Sequence, residues 1–173
     1  MVEVLVLMGV SGSGKTTVGQ LLATRLGWQF VDADDYHSSA NVAKMRRGVS
    51  LTDSDRRPWL DVLHRAMLDW TARRQPTILA CSALKAAYRQ RLSTDIQGLA
   101  WVYLEGSLAL LRSRLNARSN HFMSVDLLRS QLDTLERPEN ALIVSIDQSP
   151  EAIAQGIIQH YGLVRAGLLT GDP

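Results

Sequence analysis

One cysteine, Cys81, stands among 173 residues, so no intrachain disulfide can form, and a reducing compartment is expected. Aromatic residues make up only 6% of the chain and prolines number five, and no stretch has low complexity or a solenoid repeat. No apolar run is long enough to cross a bilayer. The first one, Val4 to Met8, is preceded by Glu3 and ended by glycine, so it does not resemble the core of a secretory signal. A cytoplasmic protein with no membrane partner is expected. Nineteen Lys and Arg against seventeen Asp and Glu leave a formal charge of +2, too little for a nucleic-acid-binding surface. With 46% hydrophobic and 21% charged residues, the chain has the composition of one globular domain.

Short apolar runs alternate with segments of helical period. The runs are Val2 to Met8, Trp28 to Val31, Thr77 to Cys81, Leu99 to Leu104 and Ala141 to Ile146. Their apolar residues are continuous, which predicts strands buried on both faces. Between them, Val18, Leu21, Leu22 and Leu26 fall on one helical stripe, with Gly27 placed to end it. Trp59, Leu60, Leu63, Met67 and Trp70 make a second stripe, with Pro58 expected in its first turn. Further stripes run from Leu108 to Leu115 after an expected Ser107 cap, from Leu127 to Leu135, and from Ile153 to Ile158 after Ser149 and Pro150. This alternation predicts an α/β fold with a parallel sheet between two helical layers. Trp59 and Trp70 are expected in the core. His64 and His160 have no ligand spacing, and no Cys/His cluster suggests zinc.

Gly9 to Thr16 reads GVSGSGKT, a phosphate-binding G-x-x-x-x-G-K-[ST] motif between a predicted strand and a predicted helix. Small residues let successive backbone N–H groups turn toward one anion, and the helix N-terminus adds a positive dipole end. Lys15 reaches the β- and γ-phosphates of such a ligand, and the Thr16 hydroxyl is a ligand for Mg²⁺. Gly9, Ser11, Gly12, Ser13, Gly14, Lys15, Thr16 and Thr17 are the expected nucleotide-binding set. No N-K-x-D reads guanine, and the chain is short for an ATPase motor, so a small-molecule kinase is the reading that remains. Asp32, Asp34 and Asp35 follow the second strand at its carboxyl end, where open α/β sheets bind ligands. Strand alternation would put Asp32 and Asp34 on one face and Asp35 on the other. Such carboxylates either position Mg²⁺ and an attacking hydroxyl or form a solvated acidic loop.

Over about Val4 to Tyr161 the chain resembles the gluconate kinases (gluconokinases), small P-loop kinases related in fold to shikimate and nucleoside monophosphate kinases. The resemblance rests on LMGVSGSGK (Leu7 to Lys15), D-x-D-x-x-H (Asp32 to His37), NVAKMRRGVSLTDSDRRPWL (Asn41 to Leu60), CSALKAAYR (Cys81 to Arg89), RSNHFM (Arg118 to Met123) and LLRSQLDTLERP (Leu127 to Pro138). Two positions depart from the family pattern: Ser50 stands in place of proline and Asn120 in place of glycine.

The resemblance implies a P-loop nucleoside-kinase-like three-layer sandwich with a five-stranded parallel sheet in the order 2-3-1-4-5. The kinase domain would span 1–161, with an acceptor-binding insertion at about 36–58, a small lid at about 118–126, and a tail at 162–173. It also implies a homodimer and transfer of the ATP γ-phosphoryl group to the 6-hydroxyl of D-gluconate. The alternative acceptors are another sugar acid, shikimate or a nucleotide, and a nucleotide-binding module without transfer activity stays open beside them.

On this resemblance Lys15, Asp34 and Arg118 are the expected catalytic residues, with Asp34 orienting the acceptor hydroxyl. Asp32 would hold Mg²⁺ with Thr16. Arg56, Lys85 and Arg89 would meet the substrate carboxylate, and His37, Ser82 and His121 its hydroxyls or the closed lid. Arg114 would cover the nucleotide. For each of these cations the competing reading is a solvated surface charge.

Overall fold

The structure, a computed structural model, describes residues 1–117 and 125–165. Five parallel strands form one sheet: β1 (Val4–Met8), β2 (Gln29–Asp32), β3 (Thr77–Ala80), β4 (Leu99–Glu105) and β5 (Leu142–Ser145), in the spatial order β2-β3-β1-β4-β5. The expected sheet order is therefore present. Among the described residues no helix is long and apolar enough to cross a membrane.

Alternation along β1 divides the core in two. Leu5 and Leu7 face α1 (Lys15–Leu26), α5 (Leu108–Asn116), α6 (Val125–Thr134) and α7 (Pro150–Tyr161), through Leu22, Leu111, Leu128 and Ile157. Val4, Val6 and Met8 face α3 (Asp53–Ala72) and α4 (Ala86–Ser93), through Leu63, Met67 and Leu92. The result is the expected three-layer sandwich. Because β1, β3 and β4 are covered on both faces, their sequences read as unbroken apolar runs.

Three expectations are corrected. β2 and β5 are edge strands and are only partly buried, with Ile143 exposed, so apolar continuity overstated their cover. Helix α3 begins at Asp53, ahead of its apolar stripe, because Thr52 and Asp55 form a reciprocal capping box; Pro58 consequently lies inside the helix rather than in its first turn. The chain after Asp32 folds as a 3-10 turn, Ala33–Tyr36, instead of continuing as a strand, so strand alternation does not govern Asp34 and Asp35.

Two short helices, α2 (Ser39–Arg46) and α4, carry no long apolar stripe; Ser38 caps α2, whereas the first amide of α4, at Ala86, donates to the Glu136 carboxylate. Ser107 caps α5 as expected, and Ser149 caps α7, which opens after it at Pro150. Gly162 ends α7 in the left-handed conformation. Leu163 beyond it is buried, and the Val164 carbonyl accepts the Trp28 indole N–H, so the first residues of the glycine-bearing tail are packed.

Candidate active site

The loop between β1 and α1 begins and ends on glycines with positive φ: 144° at Gly9, 82° at Gly12 and 94° at Gly14. At Gly9 the requirement is also steric. A Cβ there would lie 2.9 Å from the Leu104 carbonyl oxygen, which is backbone and cannot swing away. Gly14 caps α1 without any side-chain hydrogen bond, and no acid occupies the first turn. The dipole of α1 points its positive end at this loop, an arrangement that favours an anion. The Lys15 ammonium folds over this loop, 2.9 Å from the Gly9 carbonyl and 3.1 Å from that of Val10.

The carboxyl ends of β2 and β3 form the facing wall. Thr16 Oγ1 donates to Asp32 Oδ2 at 3.4 Å, and Asp32 Oδ1 accepts the Asp34 backbone N–H at 3.1 Å. Asp32 is therefore both the cap of the 3-10 turn and the partner of the P-loop threonine. The Asp34 side chain keeps three quarters of its surface open to solvent, while protein crowds the base of the cleft around it. That crowding raises its pKa above the ordinary carboxylate range; Asp32 and Asp35 add to the rise and Lys15 opposes it. Cys81, at the end of β3, is fully enclosed, and burial pushes its thiol up to about 12, which makes it inert packing.

The turn bearing these acids rests on α3. Trp59 is buried as expected, but it is more than core: its indole N–H donates to the Ala33 carbonyl at 2.8 Å, and its ring stacks on His37 at 4.4 Å and 16°. The His37 side chain is only 5% exposed, and burial, then the Arg56 charge, lowers its pKa to about 4. Neutral His37 lies 3.9 Å from Asp34 Oδ1 and 3.5 Å from the Asn41 amide nitrogen. Asn41 in turn donates to the Asp55 carbonyl at 2.9 Å, and Lys44 pairs with the Asp55 carboxylate at 2.6 Å. These bonds join α2 to the start of α3.

The expected acid-end cations separate into two groups. Lys85 and Arg56 come together around Tyr88, 5.7 and 5.9 Å from its ring centre. Arg89 instead braces its own loop, donating to the carbonyls of Ala83 and Leu84 at 2.9 and 3.1 Å. Ser82 meets the P-loop through its backbone carbonyl, which accepts from Gly9 N at 3.4 Å.

On the opposite side, Arg114 donates to the Ile146 carbonyl at 2.7 Å and overhangs Gly14. It borders a cavity of about 250 Å³ beside the P-loop that also takes in Thr17, Gln148, Pro150 and Ile153. Arg118 and His121, with the 118–124 part of the expected lid, lie outside the described residues.

Several participants were not singled out from the sequence. Asp53, Tyr88 and Asn41 sit inside family-like strings without being assigned a role. Gln131 accepts the Ser11 backbone N–H at 2.7 Å across 120 residues of chain, and Gln148, in the loop before α7, lines the cavity by Arg114. Only position within the quoted strings marked the first three and Gln131. Nothing in the sequence marked Gln148.

A family model described as an AAA domain matches residues 4–138. A Mus musculus protein named probable gluconokinase is 48% identical over 90% of this chain and 96% of its own length. The gluconokinase of Gluconobacter oxydans (strain 621H) is 44% identical, over 91% of this chain and 90% of its own. The crystal structure of a gluconokinase from Sinorhizobium meliloti 1021 superposes with a TM-score of 0.82 at 39% identity, covering 91% of this chain and 90% of that one. Near-complete overlap at this level of identity, on a sheet whose P-loop faces two aspartates, shows that the chain belongs to the gluconokinase family.

Proposed function

We propose that the protein transfers the γ-phosphoryl group of ATP to the 6-hydroxyl of D-gluconate, forming 6-phosphogluconate and ADP. The observation that carries this reading is the pairing of the P-loop with the acidic turn: Thr16 and Asp32 in contact, with Asp34 beside them and Lys15 over the cradle.

In the reaction the acceptor oxygen bonds to the γ-phosphorus while the bond from that phosphorus to the β,γ-bridging oxygen breaks. The acceptor proton leaves to the Asp34 carboxylate, whose raised pKa suits it to hold a proton late in the transfer. Lys15 exchanges its loop carbonyls for phosphate oxygens and stabilises the charge that builds on them. Thr16 and Asp32 offer two hard oxygen donors on facing elements, a set that fits Mg²⁺, which takes few protein ligands and completes its shell with water and phosphate. Bound there, Mg²⁺ would supply charge neutralisation between the β- and γ-phosphates.

The acceptor lies along a row of neighbours. Asp34 contacts His37, Arg56 acts on His37 through its charge, and Arg56 and Lys85 flank Tyr88. One end of the row handles a hydroxyl and the other is cationic, which matches a molecule with an alcohol at one terminus and a carboxylate at the other. The intervening hydroxyls are assigned to neutral His37, next to Asp34, and to Ser82, next to the P-loop. The test is an ATP-coupled assay of the purified protein with D-gluconate, shikimate and AMP as acceptors. Turnover of gluconate alone is expected. Turnover of shikimate or AMP with none of gluconate would replace this reading.

A further inference from the structure

The cationic end of that row already holds an anion of the protein's own. Asp53, the first residue of α3, brings both carboxylate oxygens to 2.8 Å from the Lys85 ammonium. Its Oδ1 also accepts the Tyr88 hydroxyl. The Arg56 charge acts on the same carboxylate, and the first turn of α3 adds its dipole. Four anion-favouring features thus converge on one exposed side chain.

A purely structural role explains this poorly. Asp53 is 61% exposed, and exposed ion pairs add little stability. The start of α3 is already capped by Thr52 and Asp55. A carboxylate held by an ammonium, a phenol and a neighbouring guanidinium is, however, what a bound sugar acid would look like at this position. Lys85 and Arg56 supply two positive charges beside Tyr88, and Asp53 already answers one of them.

We propose that Asp53 is an internal counter-ion occupying the carboxylate-binding position, which an aldonate enters by displacing it from Lys85 and Tyr88. This rests on the proposed gluconate reading and deepens it. Asp53 lowers the affinity of the site for the substrate carboxylate, because that carboxylate must displace it from Lys85.

The test is calorimetric titration of the full chain with D-gluconate. Asp53→Asn should tighten gluconate by about two- to fivefold, the range expected for loss of one exposed ion pair. Lys85→Met should weaken gluconate, and in the Asp53→Asn, Lys85→Met double variant the gain should vanish. Unchanged or weaker gluconate binding by a folded Asp53→Asn variant overturns the proposal. If that variant does not fold, unchanged gluconate binding by Lys85→Met overturns it. A wild-type protein that phosphorylates gluconate while Asp53→Asn gains nothing rejects the counter-ion and leaves the substrate reading standing. A wild-type protein that neither binds nor phosphorylates gluconate overturns both.

Discussion

Trp59, on the first turns of α3, donates its indole N–H to the carbonyl oxygen of Ala33 at 2.8 Å, fixing the turn that carries Asp34. A core residue of one helix thereby sets the position of an acid on another element. Trp59→Phe keeps most of the apolar area and the stacking surface for His37 but leaves the buried carbonyl unpaired. The expected loss is about 1–3 kcal/mol of stability, from the desolvation cost of an orphaned acceptor. A fall in gluconate turnover should accompany it, since the turn is less well held. Urea unfolding and steady-state kinetics read both. A variant with wild-type stability would mean that water satisfies Ala33 equally well.

His37 makes folding stability sensitive to mild acid. Its pKa is lowered to about 4 by burial and by Arg56, against the ordinary value of 6.5, so the native state favours the neutral ring. The unfolded chain then binds more protons over this interval. The contribution is fully present above pH 6.5 and is lost as pH falls from there toward 4. A shift of this size corresponds to at most about 3 kcal/mol. Thermal melts of wild type and His37→Gln between pH 7 and pH 4 should converge as the pH drops. Parallel curves across the range would remove His37 as the source.

Asp34 has the opposite sign, and this ties activity to a stability cost. Crowding in the cleft, with the charge of Asp32, raises its pKa, so the folded state favours the protonated acid. Stability from that preference is present at low pH and lost as pH rises through the folded-state value. At neutral pH the ionised group is a liability, and Asp34→Asn should raise the melting temperature while lowering kcat by about 100-fold or more. The acid limb of the wild-type pH–rate profile should lie above the usual carboxylate value of about 4 and disappear in the variant. Loss of activity together with loss of stability would place Asp34 in the framework rather than at the reacting hydroxyl.

How much of this was legible in the sequence depended on periodicity and on motif. The central strands could be read because both of their faces are buried. The same rule misjudged β2 and β5, since an edge strand such as β5 keeps an apolar alphabet while exposing Ile143. The cradle could be read because its glycines are dictated by backbone conformation, which leaves a mark at fixed spacing. The start of α5 was visible at Ser107 and that of α7 at Ser149 and Pro150. The start of α3 was missed because Thr52 and Asp55 precede the apolar stripe by a full turn. The acceptor end was least legible. Lys85 and Arg56 were visible as charges, but their shared contact with Tyr88, and the Asp53 carboxylate beside it, join α3 to α4 across more than 30 residues of chain. Side-chain pairing at that separation has no periodic signature.

Gln131 extends this point to the phosphate cradle. Its Oε1 accepts the Ser11 N–H at 2.7 Å, so α6 holds the loop at a residue flanked by Val10 and Gly12. The bond is neutral and half-buried, and one such bond is typically worth about 0.5–1.5 kcal/mol, or roughly two- to tenfold in an equilibrium. Gln131→Ala should reduce kcat/KM for ATP by about that factor through a looser loop. Gln131→Glu keeps an acceptor oxygen on the same stem, so it should retain the wild-type melting temperature. Its added negative charge beside the cradle should nonetheless raise KM for ATP, and more at low salt than at high salt. The two variants therefore separate tethering from charge: alanine loosens the loop without repelling the nucleotide, and glutamate repels it without loosening the loop. If both leave the ATP kinetics at wild-type values, the contact is incidental to nucleotide binding, and the P-loop holds its shape from its own glycines alone.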